Sequence, residues 1–151
     1  MVNLSEAYLV EATLSDANLT LVNLSKVYLN SADLSGANLY YTNLSNTNLS
    51  NANLSNADLS SANLSSTDLS SANFSNTILL RANLDNSKGL QQEQLTRSEA
   101  PLLCATKLPT GMEDLSDRDC DRLPQVLLER YPKRFKTLKK AKQYVKEFRE
   151  Q

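Results

Sequence analysis

The chain of 151 residues has no histidine and no tryptophan, and only three glycines, four prolines and two cysteines. Without histidine there is no imidazole base, no Ser–His–Asp triad and no His-ligated metal. Two cysteines, Cys104 and Cys120, cannot build a disulfide framework or a four-Cys zinc site. They are expected to be structural thiols, kept reduced in a cytosol of prokaryotic type. Neither sign of charge is in excess. The chain has 16 Lys+Arg against 17 Asp+Glu, a net −1, which makes no whole-chain case for nucleic acid or an anionic membrane. No apolar run approaches the roughly 18 residues of a membrane span. The opening Met1-Val2-Asn3-Leu4-Ser5 shows neither the basic nor the apolar region of a signal peptide. The expected location is cytoplasmic, with no membrane partner.

What the sequence has in abundance is a period of five. Leucine recurs at every fifth position from Leu4 to Leu69, followed by Phe74, Leu79 and Leu84, which makes 17 units without a slip. Two residues before each centre sits Ala in 10 units, Thr in four and Val in three. One residue before it sits Asn or Asp in 13 of the 17, and one residue after it sits Ser in 11. A helix at about 100° per residue would spiral these leucines around its axis. A flat strand would send alternate ones to opposite faces. A backbone that turns a corner every five residues gathers them all. Four corners close a square coil in which every Leu points to the axis. The small residue two positions earlier shares that inward side. Asn, Asp and Ser suit the remaining slots because their side chains bond the nearby backbone.

The run Ala52-Asn53-Leu54-Ser55-Asn56-Ala57-Asp58-Leu59-Ser60-Ser61-Ala62-Asn63-Leu64 resembles the pentapeptide-repeat family, whose motif is A(D/N)LXX. The resemblance spans roughly residues 2–88 and departs from the Asn/Asp slot only at Tyr8, Thr13, Tyr28 and Ile78. It implies an all-β solenoid, the right-handed quadrilateral β-helix, of just over four coils. With 20 residues per coil, Leu4, Leu24, Leu44, Leu64 and Leu84 form one interior column. Leu14, Leu34, Leu54 and Phe74 form another.

Composition shifts near Lys88, and all four prolines lie beyond residue 100. The expected organisation is a β-helix over 1–88, a cap over 89–111 and an α-helical tail over 112–151. The cap resembles the segment that often closes the solenoid in this family. It reads as a short helix at about 91–97 followed by an extended piece, Leu102 to Lys107, that lids the last coil. In the tail, Ser116 with Asp119 resembles a capping pair, and Pro124 suits a first helical turn. Pro132 ends that helix. Thr137 can cap a second helix, in which Leu138, Ala141, Val145 and Phe148 recur at three- and four-residue steps. Residues 124–151 carry nine Lys/Arg and three Glu, while residues 1–90 carry three basic and seven acidic side chains.

Candidate sites follow from the columns. Thr20, Tyr40, Ser60 and Leu80 should stack, as should Leu21, Tyr41, Ser61 and Arg81. Leu21, Tyr40 and Tyr41 then make an outward apolar patch, and Tyr8 and Tyr28 stack on another side; exposed aromatic clusters often mark interfaces. The competing expectation is that the tail covers the patch. The basic tail residues, Lys136, Lys139 and Lys140 among them, suit an acidic partner or a solvated helix face. Aromatics do not interleave with these lysines as they would in a nucleic-acid reader. Glu6, Glu11 and Asp16 fall on successive sides of one coil and do not converge as an acid–base pair or a metal site. No enzyme, cofactor, metal or small-molecule substrate is expected. The expected function is a non-enzymatic scaffold or protein–protein interaction module with an unidentified protein partner. Self-association through the first coil or the tail helices is also expected. The family resemblance implies one alternative, a DNA-mimicking rod that binds DNA gyrase or another DNA-binding protein.

Overall fold

The computed structural model describes residues 2–97 and 99–149, with residues 148 and 149 as backbone alone. The repeats wind as a right-handed quadrilateral β-helix with 20 residues per coil. Asn3 bridges Asn23 in parallel, Asn23 bridges Asn43, and the same spacing runs to Asp68 and Lys88. Four sides result. Side 1 carries Asn3, Asn23, Asn43, Asn63 and Asn83; side 2 carries Tyr8, Tyr28, Asn48, Asp68 and Lys88. Side 3 carries Thr13, Asp33, Asn53 and Asn73; side 4 carries Asn18, Asn38, Asp58 and Ile78. From Leu24 to Leu84 the leucines and Phe74 fill the tube and are buried, with the alanines beside them.

Corners explain why the period is five. The amide of each small residue donates to the carbonyl of the preceding Leu, as Ala7 does to Leu4 at 3.2 Å. The residue just before that amide lies in the left-handed region, with φ running from 54° at Asn76 to 67° at Gly36. Gly36 excepted, every corner from Glu6 to Asn86 holds a side chain there, at a cost of about 1 kcal/mol or more each. An intercoil bond offsets the strain: Glu6 N–H donates to Ser25 O at 3.0 Å and Asn51 N–H to Ser70 O at 2.8 Å. No Val, Ile or Thr occupies that slot, as expected where a branched Cβ fits worst.

The polar slots have equally specific uses. Asn23 Oδ1 accepts the Ser25 amide at 3.1 Å, bracing the corner. Asn side chains also ladder between coils, Asn23 Nδ2 to Asn3 Oδ1 at 3.0 Å and Asn43 Nδ2 to Asn23 Oδ1 at 3.2 Å. Inward Thr hydroxyls are satisfied by the coil below, Thr47 to Leu24 O and Thr67 to Leu44 O, both at 2.7 Å.

Beyond Lys88 the chain leaves the register. Gly89, at φ 68°, lies where any Cβ would come within 2.8 Å of Ser70 Cα. Helix α1, Gln92–Thr96, swings out and plugs the tube with the fully buried Leu95. Gln94 Nε2 donates to Leu69 O at 3.1 Å and Ala72 O at 2.9 Å, satisfying carbonyls that another coil would otherwise take. The chain then rejoins the ladder. Leu102 bridges Ile78 and Lys107 bridges Asn83, 24 residues apart rather than 20, with Leu103 and Leu108 inward. The segment expected as a lid therefore adds further sides to the tube. Met112 and Leu115, at the 3₁₀ turn Glu113–Leu115, pack against the end of its core.

Two expectations fail in the next stretch. Ser116 and Asp119 do not cap a helix. The Ser116 amide closes the 3₁₀ turn on Glu113 O at 3.0 Å, and the Asp119 carboxylate accepts the Leu103 amide at 3.0 Å. Cys104 and Cys120 are not free thiols but a disulfide with Cα atoms 4.9 Å apart. The return of the chain to side 4 turns Cys104 outward against the segment that leads into the tail. The two cysteines therefore lend no support to a reducing compartment.

The tail is two helices, α2 (Leu123–Arg130) and α3 (Leu138–Arg149). Pro124 sits in the first turn of α2, and Thr137 Oγ1 accepts the Lys140 amide at 3.3 Å to cap α3. Leu123, Leu127, Phe135, Ala141 and Val145 form a second core with the outward residues Ile78, Leu80 and Leu102 of the rod. The Phe148 side chain lies outside the described residues.

Candidate functional site

Side 4 is where the two parts of the molecule meet, and one repeat residue is the hinge pin. Asp58 replaces the Asn of its column. Its Oδ1 accepts the Ser60 amide at 3.0 Å and the Ser60 hydroxyl at 2.5 Å, and its Oδ2 meets Arg134 Nη1 at 2.6 Å. The Arg134 guanidinium also lies over the rings of Phe135 and Tyr144, at 5.3 and 5.2 Å from their centroids. Burial works against the Arg134 charge, but the Asp58 carboxylate, Tyr144 and Tyr131 together outweigh burial and hold the guanidinium above its ordinary pKa. Tyr144 Oη lies 3.2 Å from Ser60 Oγ. Burial, and then the nearby Asp58 charge, push the Tyr144 phenol up to about 12. Tyr131 donates to Asn76 O at 2.7 Å and Arg130 to Ala100 O at 2.7 Å.

A cleft opens on each flank of the Asp58–Arg134 pair. One, of about 690 Å³, runs between Asp16, Gly36 and Asn38 of the rod and Tyr131, Pro132 and Lys133 of the tail. The other, of about 330 Å³, lies between Thr20, Tyr40, Tyr144 and Glu147. Tyr40 rims this second cleft and meets Tyr41 edge to face, with ring centroids 4.6 Å apart. Leu21 is 55% exposed and Tyr41 41%. The outward patch is thus assembled beside the edge of the tail. The rest of the Tyr40 column is covered, since Ser60 and Leu80 are buried beneath the tail.

The other sequence candidates lie apart from this patch. Tyr8 and Tyr28 stack on side 2 with centroids 4.6 Å apart and planes 9° from parallel; Tyr8 is 78% exposed. Lys136, Lys139 and Lys140 are exposed at the start of α3, and a shallow groove of about 380 Å³ is lined by Leu138, Lys139, Lys142 and Lys146. Asp33 and Asp68 are held below the ordinary carboxylate range, first by the hydroxyls of Ser35 and Ser70. Among the described residues, the group of possible metal ligands whose ligand atoms lie within 4.8 Å of one another is Cys104, Asp117 and Cys120. Among the described residues, no helix is long and apolar enough to cross a membrane.

Sequence reasoning missed Asp58, Ser60, Arg134 and Tyr144 as a set. A signal existed: side 4 alone passes from Asn18 and Asn38 to Asp58 and then Ile78, with Leu80 following. An outward column that turns acidic and then aliphatic is a column about to be covered.

The family model for pentapeptide repeats matches eight copies, over residues 2–36, 37–76 and 67–88. Among solved structures, the chain is similar to HetL, a pentapeptide repeat protein involved in heterocyst differentiation regulation from the cyanobacterium Nostoc sp. strain PCC 7120. Identity is 33% and the TM-score 0.64, over 72% of this chain and 50% of HetL, so the chain spans half the length of that relative. It is also similar to Rfr23, a pentapeptide repeat protein from the cyanobacterium Cyanothece 51142, with 29% identity and a TM-score of 0.56 over 72% of this chain and 82% of that one. No curated protein matches the chain.

Proposed function

Because the chain belongs to the pentapeptide-repeat family, we propose that it works as a non-enzymatic scaffold whose protein partner docks on the Leu21–Tyr40–Tyr41 patch. The observation that carries this reading is the placement of the patch. Three large side chains gather at one corner, Leu21 and Tyr41 still well exposed, although the tail covers the neighbouring part of side 4. Aromatic anchors beside a cleft are what a docking partner uses. The cleft edged by Tyr40 and Tyr144 offers such a partner a polar rim. Family membership supports an interaction role over an enzymatic one. The proposed partner is a protein, met in the cytoplasm.

The test is affinity capture from the native host with the wild type and with Leu21→Ser/Tyr41→Ala, the two proteins first matched for thermal melting. The reading expects a specific partner that the double variant loses. Equal capture by both proteins removes the patch as the working surface.

Self-association is a second reading, favoured by the first coil. Val2 is 61% and Leu4 40% exposed, and the interior layer is only half covered there. Sedimentation showing a strict monomer at micromolar concentration would remove it. The DNA-mimicking alternative has weaker support. Its acidic columns are replaced here by neutral Asn ladders, and a phosphate mimic needs repeated charge.

A further inference from the structure

The disulfide lies at the junction of rod and tail, and its surroundings are built to hold three ligand atoms together without it. Cys104 follows the inward Leu103 on side 4, and Cys120 ends the turn before α2. Two backbone strips tie these stretches to each other. Asp119 N–H donates to Leu103 O at 2.9 Å, and Thr106 N–H to Ser116 O at 3.2 Å. The Asp119 carboxylate takes the Leu103 amide in return. Arg118 clamps the same turn to the cap by donating to Leu95 O at 2.6 Å and to Pro101 O. None of these bonds involves sulfur, so the two cysteines stay apposed whether oxidised or reduced.

A third ligand is already in place. Asp117 Oδ1 lies 3.5 Å from Cys120 Sγ and is oriented by the Ala105 amide at 2.8 Å. Ala105 holds φ at 51°, a left-handed turn that aims this amide at the carboxylate. The ligand atoms of Cys104, Asp117 and Cys120 all lie within 4.8 Å of one another. A tetrahedral zinc-like ion with M–S near 2.3 Å and M–O near 2.1 Å needs S···S of about 3.8 Å and S···O of about 3.6 Å. The Asp117–Cys120 edge has that length now. Opening the S–S bond lets the sulfurs part to the other, over Cα atoms 4.9 Å apart.

We propose that Cys104, Asp117 and Cys120 form, in the reduced protein, a binding site for a zinc-like divalent ion that fastens the tail to the end of the rod in place of the disulfide. The fourth position is open to water on the exposed side of Asp117. A dithiol reductant supplies two electrons and two protons. The S–S bond breaks to give two thiols, and the reductant becomes a disulfide. On metal capture both thiols release their protons to solvent, and the thiolates bind the ion with the carboxylate. The Ala105 amide, donating to Asp117 Oδ1, orients the carboxylate towards the ion.

Cobalt(II) is the probe. The full chain is reduced, freed of metal and titrated without oxygen, its fold verified by circular dichroism. The expected result is a thiolate-to-cobalt charge-transfer band that saturates at one ion per chain and is abolished by added zinc. The oxidised protein shows no band. Cys120→Ser abolishes it, and Asp117→Asn weakens cobalt binding by roughly tenfold or more. Zinc also raises the melting temperature of the reduced wild type but not that of Cys120→Ser. A folded, reduced chain with no charge-transfer band in excess cobalt overturns the proposal. So does an Asp117→Asn variant that binds cobalt as tightly as the wild type.

Discussion

The two ends of the rod are made from the same repeat and end differently. At the C-terminal end, α1 plugs the tube, Gln94 takes the last carbonyls, and Met112 and Leu115 close the core. The tail helices then lock onto side 4. At the other end, Leu4 is 40% exposed, and the amides of Asn3, Tyr8, Thr13 and Asn18 have no backbone partner among the described residues. The equivalent amides one coil later all donate backward, as Tyr28 N–H does to Ala7 O at 3.1 Å. A coil stabilises only its neighbours, so identical sequence yields different local stability according to what lies on each side. The central coils are held from both directions and the first from one.

The largest expected effect separates those two regions. Leu49→Asp places a carboxylate in the sealed tube and should abolish cooperative folding, a cost above about 5 kcal/mol. Leu9→Asp, in the half-covered first coil, should fray that coil alone for about 1–2 kcal/mol. Ser50→Asp, one step from Leu49 but outward, should cost less than about 1 kcal/mol through its lost bond to Asn48. Urea unfolding of the three variants ranks them. Equal losses for Leu49 and Leu9 would erase the difference between middle and end.

Next comes the closed end. The disulfide spans 16 residues, so Cys104→Ser should cost about 3 kcal/mol in metal-free buffer and loosen the tail before the rod. Calorimetry resolving a lower tail transition would show this. Alkali should act on the same region. Tyr144 holds its proton more tightly folded, about 12, than unfolded, 10.0. Its contribution is therefore whole below pH 10 and lost as pH rises towards 12, at roughly 2–3 kcal/mol. Tyr144→Phe should flatten that part of the stability profile. The smallest effect compares two corners. Gly89→Ala drives a Cβ into the Ser70 backbone and should cost about 2 kcal/mol, whereas Gly36→Ala meets only the movable Asp16 carboxylate and should cost about 1 kcal/mol. Melting curves distinguish them.

Much of this was legible in the repeat itself. The five-residue period placed Leu24 through Leu84 inward because no other backbone gathers them. The Asn, Ser and small-residue slots followed from turn chemistry. Thr137 as a cap and Pro124 in a first turn were equally local. What escaped reading was non-local. The excursion through α1 adds four residues to the return, so nothing in the spacing placed Cys104 beside Cys120 or Leu102 on Ile78. Asp119 looked like a cap because sequence shows only its helical neighbours, not the Leu103 amide that claims it. The patch at Leu21, Tyr40 and Tyr41 was visible as a column, but its boundary was set by Arg134 and Tyr144, which lie far along the chain.

Residue-resolved amide hydrogen exchange tests the square-tube account most directly, because the register assigns every amide a partner or none. The account predicts that Tyr8 exchanges fast while its neighbour Leu9, bonded to Tyr28 O at 2.8 Å, is protected, and that Tyr28 is protected although it fills the same slot one coil later. Equal exchange at Tyr8 and Tyr28 would contradict it.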